Sequence, residues 1–89
     1  MISGCFAEDT IALAHHVSGD HSFKNINSPE ECQRKCQENV ECRYFVLHLK
    51  GRWKGCWMKT EGAKSTIKTR KQTIFGPKYC EKYEIEYDK

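Results

Sequence analysis

Six cysteines span almost the whole of this 89-residue chain, and cysteine is the residue type here with the widest range of chemistry. A free thiolate can act as a nucleophile, a redox switch or a zinc ligand, whereas a disulfide removes all three roles. The cysteines are Cys5, Cys32, Cys36, Cys42, Cys56 and Cys80. An even number of cysteines in so short a chain favours three disulfides and an oxidising compartment. We therefore expect all six to be structural.

The histidines are the second set of residues that could carry chemistry, either as metal ligands or as the base of a hydrolase. They are His15, His16, His21 and His48. The chain contains neither a His-Glu-x-x-His motif nor a Gly-x-Ser-x-Gly elbow. We therefore predict a non-catalytic protein with no metal site and no cofactor, in which each histidine is either packed or solvated.

Aromatic residues in the middle of the chain could bind a sugar. If residues 52–59 form a strand, its period of two places Trp53 and Trp57 on one face, and Tyr44 and His48 share a face of the strand before it. Aromatic rings stack on sugar faces, so these four residues predict a carbohydrate-binding surface. The alternative is that they cover the sheet face away from the helix as a second small core.

The positive charge is concentrated in the second half of the chain. The net charge is only +3, but residues 50–80 carry nine bases and one acid, whereas residues 1–49 carry seven acids and four bases. A sulfated glycan or an acidic protein could bind such a stretch, although a solvated loop would look the same. The basic candidates are Lys50, Arg52, Lys54, Lys59, Lys64, Lys68, Arg70 and Lys71, of which the first four are the expected ligand contacts. Nucleic acid is not expected in an oxidising compartment, and no nucleic-acid motif is present.

One helix is predicted at about residues 29–39. Ser28 is a suitable N-cap, Pro29 suits the first helical position, and Glu31 would complete a capping box. Cys32 and Cys36 are four residues apart, so both project from one helix face. That face must be buried against elements that carry other cysteines.

The remaining elements are predicted to be mainly β-strands. Aromatic and branched residues favour a hairpin of residues 42–49 and 52–59 around a Lys50-Gly51 turn. The other expected strands are one or two within residues 4–13, a short one at residues 73–75 and a last one at residues 79–87. We predict loops for residues 15–27 and for the polar residues 60–72.

Geometry reduces the fifteen pairings that six cysteines allow. Cys32 and Cys36 project in parallel, so a bond between them would strain the helix. Cys36 lies near the helix end, and Cys42 follows after a short return, which makes that pair easy to close. Cys32 can then reach Cys56 in the hairpin, which leaves the two terminal cysteines. The predicted pairing is Cys5–Cys80, Cys32–Cys56 and Cys36–Cys42.

The spacing of these residues resembles the PAN/apple domain family in its six-cysteine form. The resemblance covers nearly the whole chain and is carried by Gly4-Cys5-Phe6, Ser28-Pro29-Glu30-Glu31-Cys32-Gln33-Arg34-Lys35-Cys36, Cys42-Arg43-Tyr44-Phe45, Lys54-Gly55-Cys56-Trp57-Met58-Lys59 and Gly76-Pro77-Lys78-Tyr79-Cys80. It implies an α+β fold, in which an antiparallel sheet of about five strands cradles one helix, and it implies the same disulfide pairing. It also implies a binding module rather than an enzyme.

Within that family, the Gly-Pro-Lys-Tyr-Cys segment at residues 76–80 and the lysine-rich composition look most like the modules of apicomplexan microneme adhesive proteins. That resemblance implies secretion through the parasite microneme to the extracellular space or cell surface. Residues 1–89 would then be one module of a longer tandem protein. The implied partners are a host-cell surface protein or a glycan, galactose-containing or sulfated, together with neighbouring modules or partner adhesins. The alternative is a spacer or self-association module without its own ligand. No apolar run is long enough to span a membrane.

Overall fold

The computed structural model describes residues 5–80 and contains one helix against one antiparallel sheet. Its elements are β1 (Ala7–Ala12), β2 (Ser22–Phe23), α1 (Pro29–Gln37), β3 (Tyr44–His48), β4 (Gly55–Lys59), a 3₁₀ helix (Glu61–Thr66) and β5 (Ile67–Pro77). The five strands lie in the order β1-β5-β3-β4-β2, and every neighbouring pair is antiparallel. The predicted α+β class is confirmed.

Helix α1 begins as its sequence predicts. The Ser28 hydroxyl oxygen accepts a 3.1 Å hydrogen bond from the Glu31 amide, and Pro29 opens the helix. The helix ends at Gln37, earlier than the predicted residue 39, because the chain turns there to bring Cys42 back to Cys36. The Cys42 amide donates to the Asn39 carbonyl in that turn.

The sheet buries side chains on both faces. On the helix side, Phe45 and Leu47 of β3 pack with the α1 cysteines and with Met58 of β4. On the opposite side, Val46 packs with a second cluster, which consists of Ile11, Ala12, Ala63 and Phe75 with Tyr44 and Trp57 against them. Because successive residues of a strand face opposite ways, one apolar run in β3 serves both cores.

The three disulfides have the predicted pairing. Cys5 bonds to Cys80, Cys32 to Cys56 and Cys36 to Cys42, with sequence separations of 75, 24 and 6. Cys32–Cys56 ties α1 to β4, and Cys5–Cys80 joins the two ends of the described chain. No cysteine within this part of the chain is free. Thiol chemistry is therefore absent from the function of these residues.

The central hairpin is shorter than predicted, and its loop is longer. Strands β3 and β4 leave residues 49–54 outside the ladder, which we call the hairpin loop. Strand β4 begins at Gly55, whose φ of +125° suits glycine, and a Cβ there would lie 2.6 Å from the Phe23 carbonyl oxygen. This close approach fixes where β4 starts, and it leaves Arg52, Trp53 and Lys54 in the loop rather than in a strand.

The prediction of a loop over residues 60–72 was wrong. Residues 61–66 form the 3₁₀ helix, and residues 67–72 are the first part of the 11-residue strand β5, in which Ile67, Lys68 and Thr69 pair with β1. All six side chains from Ile67 to Gln72 are exposed. The pairing is therefore held by backbone hydrogen bonds, and the apolar alternation on which strand prediction depends is missing.

Two other predictions need correction. Residues 15–27 were expected to be a loop, but Ser22–Phe23 pairs with Trp57 and Cys56, and His16 forms a bridge with Lys59. A two-residue strand is too short to show a periodic pattern. Of the strand predicted at residues 79–87, Tyr79 and Cys80 are not in a strand, and residues 81–87 lie outside the described residues. The sheet has about five strands, as predicted, although some of its strands are not the predicted ones.

Candidate functional site

Trp57 is the centre of an aromatic cluster on the sheet face away from the helix. Its ring centroid lies 5.3 Å from that of His16 and 5.7 Å from that of His21, and these two imidazoles stack on each other at 4.5 Å. His48 of β3 meets Trp57 edge-on at 6.1 Å. The cluster therefore consists of side chains from β3, from β4 and from the segment between β1 and β2. The sheet holds this segment in place, because His16 forms a bridge with Lys59 of β4.

Trp53 extends this cluster into the solvent. The Trp57 indole N–H donates a 2.7 Å hydrogen bond to the Trp53 carbonyl oxygen, and the two rings meet edge to face at 5.8 Å. Trp53 is nevertheless 50% exposed. The Arg52 guanidinium lies 5.8 Å from the Trp53 ring centroid. Trp57 thus supports the hairpin loop, while Trp53 presents an aromatic surface beside a cation.

A shallow aromatic cavity of about 220 Å³ opens between these side chains. It is lined by Leu13, His16, His48, Trp53 and Trp57. The volume is below the range of about 300–1,000 Å³ that is typical of small-molecule sites. The aromatic cavity on its own therefore suits the face of one ring rather than an enclosed ligand.

A bulge in β5 shapes the neighbouring surface. In the β1–β5 ladder Glu8 pairs with Ile74 and Thr10 with Thr69, so residues 70–73 stand opposite Asp9 alone. We call residues 70–73 the basic bulge. The Asp9 carboxylate accepts a 3.2 Å hydrogen bond from the Gln72 amide, and the Thr73 hydroxyl donates to the Arg70 carbonyl at 2.7 Å.

The basic bulge also contacts the hairpin loop, because the Leu49 amide donates to the Gln72 carbonyl at 2.9 Å. Strand bulges are common next to functional sites, where they redirect side chains. Here the bulge brings Arg70 and Lys71 beside the basic residues of the hairpin loop.

The loop and the bulge enclose a basic cavity of about 380 Å³. Its lining is His48, Lys50, Gly51, Arg52, Trp53, Arg70, Lys71, Gln72 and Thr73. It contains four basic side chains and no acidic one. His48 and Trp53 also line the aromatic cavity, so the two cavities share a wall. Together they form a continuous surface with an aromatic end and a cationic end.

Burial and neighbouring cations favour neutral groups in this region. Burial, followed by the Arg70 and Lys59 charges, holds the pKa of His48 below its ordinary value. Burial, with smaller effects of Lys59 and His21, lowers the pKa of His16 to about 4. Both imidazoles are therefore neutral at pH 7, so each offers one donor and one acceptor nitrogen.

The residues that the sequence predicted for binding separate into two groups. Trp53, Trp57, His48, Lys50 and Arg52 line the two cavities. The other three do not.

Tyr44 stacks on Phe75 at 5.3 Å as part of the second core. Lys54 donates from its ammonium to the Asn27 side-chain oxygen at 2.9 Å. Lys59 is only 4% exposed, and burial lowers its pKa to about 8. A role in binding for these three residues stays a prediction.

The sequence did not assign His16 or Leu13 to the site. It named Arg70 and Lys71 as basic candidates in a loop but did not include them among the expected ligand contacts, and nothing in the local sequence signals the bulge opposite Asp9. His16 and Leu13 reach the site because the chain after β1 turns back along β4, where the His15 carbonyl accepts from the Thr60 amide. That return is a tertiary contact without a local pattern.

Within residues 5–80 no group of three His, Cys, Asp or Glu side chains could hold a metal ion. The same part of the chain has no helix that is long and apolar enough to cross a membrane.

Comparison with known families is consistent with this architecture. A sequence model of the PAN domain matches residues 8–80, and the chain therefore belongs to the PAN domain family. PAN domains are protein- and carbohydrate-binding adhesion modules and are generally non-catalytic. A framework of three disulfides is typical of extracellular proteins. No curated protein matches the chain.

Proposed function

We propose that this chain is a non-catalytic adhesion module that binds a cell-surface carbohydrate on the face formed by the aromatic and basic cavities. The ligand contacts in this proposal are Trp53 and His48 at the shared wall, with Trp57 behind them. The module acts outside the cell, where its disulfides persist. Its biological role is attachment to a host cell.

The observation that carries this proposal is the position of Trp53. The half-exposed indole lies with the exposed Leu13 and the Trp57 ring in one lining, and contiguous exposed apolar surface of this kind marks ligand-binding sites. Here the ring is held by its neighbours and not left mobile, since Trp57 binds the Trp53 carbonyl and meets its ring edge to face. A sugar can pack its C–H face on such a ring while its hydroxyls reach the neutral His48.

The parent protein and its location belong to the same proposal. The Gly76-Pro77-Lys78-Tyr79-Cys80 segment supports a module of the apicomplexan microneme type, arranged in tandem and released to the parasite surface. Neighbouring modules and partner adhesins would then lie beside it. PAN domain membership and the disulfides support an adhesive role but are shared by other branches of the family.

A glycan array tests this proposal with three proteins: the unmodified chain, Trp53→Ala and Val40→Ala. Val40 is 83% exposed and lies outside both cavity linings, so Val40→Ala removes exposed apolar surface away from the proposed site. We expect sugar-specific binding that Trp53→Ala reduces by about tenfold or more, which corresponds to roughly 1.4 kcal/mol. Val40→Ala should bind normally.

A protein that binds no glycan would contradict the carbohydrate proposal. Sedimentation would then distinguish the alternatives, because a self-association module forms dimers at micromolar concentration and a spacer stays monomeric. Equal weakening by Trp53→Ala and Val40→Ala would also contradict the proposed site.

A further inference from the structure

We propose that the carbohydrate is acidic, with a sulfate or carboxylate group held in the basic cavity while a sugar ring packs on Trp53. This inference rests on the proposed function and names the class of its ligand. The shared chemistry is an oxyanion, which guanidinium and ammonium groups bind through charge-assisted hydrogen bonds. Sulfated and carboxylated sugars are the two possible sources of that anion.

The geometry supports one ligand that spans both cavities. Trp53 and His48 form the wall between them, and the Arg52 guanidinium lies 5.8 Å from the Trp53 ring centroid. A sugar ring on Trp53 therefore places a charged substituent at the mouth of the basic cavity. At about 380 Å³ this cavity falls within the range of small-molecule sites.

The charges of the basic cavity point to an anionic ligand. Lys50 and Arg52 come from the hairpin loop and Arg70 and Lys71 from the basic bulge, and none of them forms an ion pair with another of the residues 5–80. Other lysines of the described chain do have partners, such as Lys35 with Glu38 at 3.8 Å and Lys64 with Glu61 at 4.0 Å. Four like charges around one cavity repel each other, and a bound anion would offset that repulsion.

The backbone of the bulge is fixed, so the positions from which Arg70 and Lys71 project are set before a ligand arrives. Asp9 and Gln72, which have φ angles of 54° and 65°, are joined by the hydrogen bond to the Asp9 carboxylate. Non-glycine residues with positive φ cost free energy and are concentrated at functional sites. Preorganised donors cost less to bring to a ligand than mobile ones do.

A peptide fits this surface less well than a sugar. Extended peptides usually add a strand to a free sheet edge, but β3 is paired with both β5 and β4, and β4 with both β3 and β2. Helical peptides need a long apolar groove, whereas the larger cavity here is lined by cations. A sugar with an anionic substituent matches the change from an aromatic to a basic surface over a short distance.

The test compares an array of neutral glycans with their sulfated and carboxylated counterparts. Two double variants remove the same charge: Arg70→Gln/Lys71→Gln from the basic bulge, and Lys24→Gln/Arg34→Gln from exposed positions outside the basic cavity. We expect acidic glycans to bind at least about tenfold more tightly than their neutral counterparts. The bulge variant should lose at least about tenfold of that affinity, as expected for hydrogen bonds to a charged group.

The outcomes separate the two proposals. Preference for sulfated or for carboxylated glycans identifies the source of the anion, and either one supports the inference. Binding of neutral glycans alone overturns the inference but leaves the proposed function standing, and the absence of any glycan binding overturns both. An equal loss of affinity in both double variants would also overturn the inference, because the effect would then come from net charge and not from the cavity.

Discussion

The indole nitrogen of Trp57 donates a 2.7 Å hydrogen bond to the backbone carbonyl oxygen of Trp53. Two tryptophans that are four residues apart thereby have different roles. Trp57 lies in β4 and packs against the second core, whereas Trp53 lies in the hairpin loop with half of its surface exposed. The partly buried indole holds the loop that presents the exposed one, so the binding surface depends on both residues.

Trp57→Phe should weaken glycan binding without unfolding the protein. Phenylalanine keeps an aromatic ring against the second core but removes the hydrogen bond to the Trp53 carbonyl. A lost hydrogen bond of this kind costs roughly 0.5–1.5 kcal/mol of stability. Calorimetry should show an affinity decrease of several-fold, together with a small decrease in the melting temperature. Unchanged affinity would contradict the supporting role of Trp57.

Stability should fall as the pH is lowered from 6.5 towards 4. The pKa of His16 is about 4 in the folded protein and 6.5 at its ordinary value, mainly because of burial. In that window the unfolded chain binds more protons than the folded chain, so acid favours unfolding. His48, whose pKa is also lowered, contributes in the same direction.

Chemical unfolding at pH 7.0, 5.5 and 4.0 measures this dependence for the unmodified chain and for His16→Gln. The variant should lose less stability over the same range, because glutamine does not titrate. Identical pH dependence in the two proteins would show that His16 does not contribute.

Lys59→Met should stabilise the protein at pH 7. Lys59 is 4% exposed, burial lowers its pKa to about 8, and its ammonium has no ion-pair partner within residues 5–80. Methionine has a similar length and no charge to desolvate, so we expect a gain of roughly 1–3 kcal/mol in the free energy of unfolding.

The pH dependence and an exposed control test the reason for that gain. Between pH 8 and 10.5 only the unfolded state keeps the Lys59 proton, so the unmodified chain should gain stability and approach the variant. Lys68→Met, at an exposed position of β5, should change the free energy of unfolding by less than about 0.5 kcal/mol. A destabilised Lys59→Met protein would contradict the cost assigned to the buried charge.

Local patterns predicted the helix and the disulfides well. Ser28 and Pro29 specify a helix start by capping chemistry, and the spacing of Cys32 and Cys36 restricts which cysteines can meet. The apolar run from Phe45 to Leu47 also predicted a buried strand correctly. The helix cap, the cysteine spacing within α1 and the apolar run each lie within a few residues, so the sequence displays them directly, and the cysteine spacing then limits the long-range pairings.

The missing parts of the site depend on pairing between distant segments. The exposed residues 67–69 pair with β1 through backbone hydrogen bonds, and side-chain patterns do not report such bonds. The bulge that carries Arg70 and Lys71 is a feature of the pairing between β1 and β5, in which four residues stand opposite Asp9. The sequence therefore predicted five of the cavity-lining residues but placed two of the four cavity cations in a loop.

Chemical-shift mapping on the ¹⁵N-labelled protein tests the central claim most directly. The protein is titrated with the glycan that the array selects, and each backbone amide and both indole N–H signals are followed. We predict that the largest shifts occur at the Trp53 indole, in the hairpin loop (residues 49–54) and in the basic bulge (residues 70–73), with little change along α1. Shifts that are confined to α1 or to the turn around Val40 that follows it, with the Trp53 indole unchanged, would contradict the proposed site.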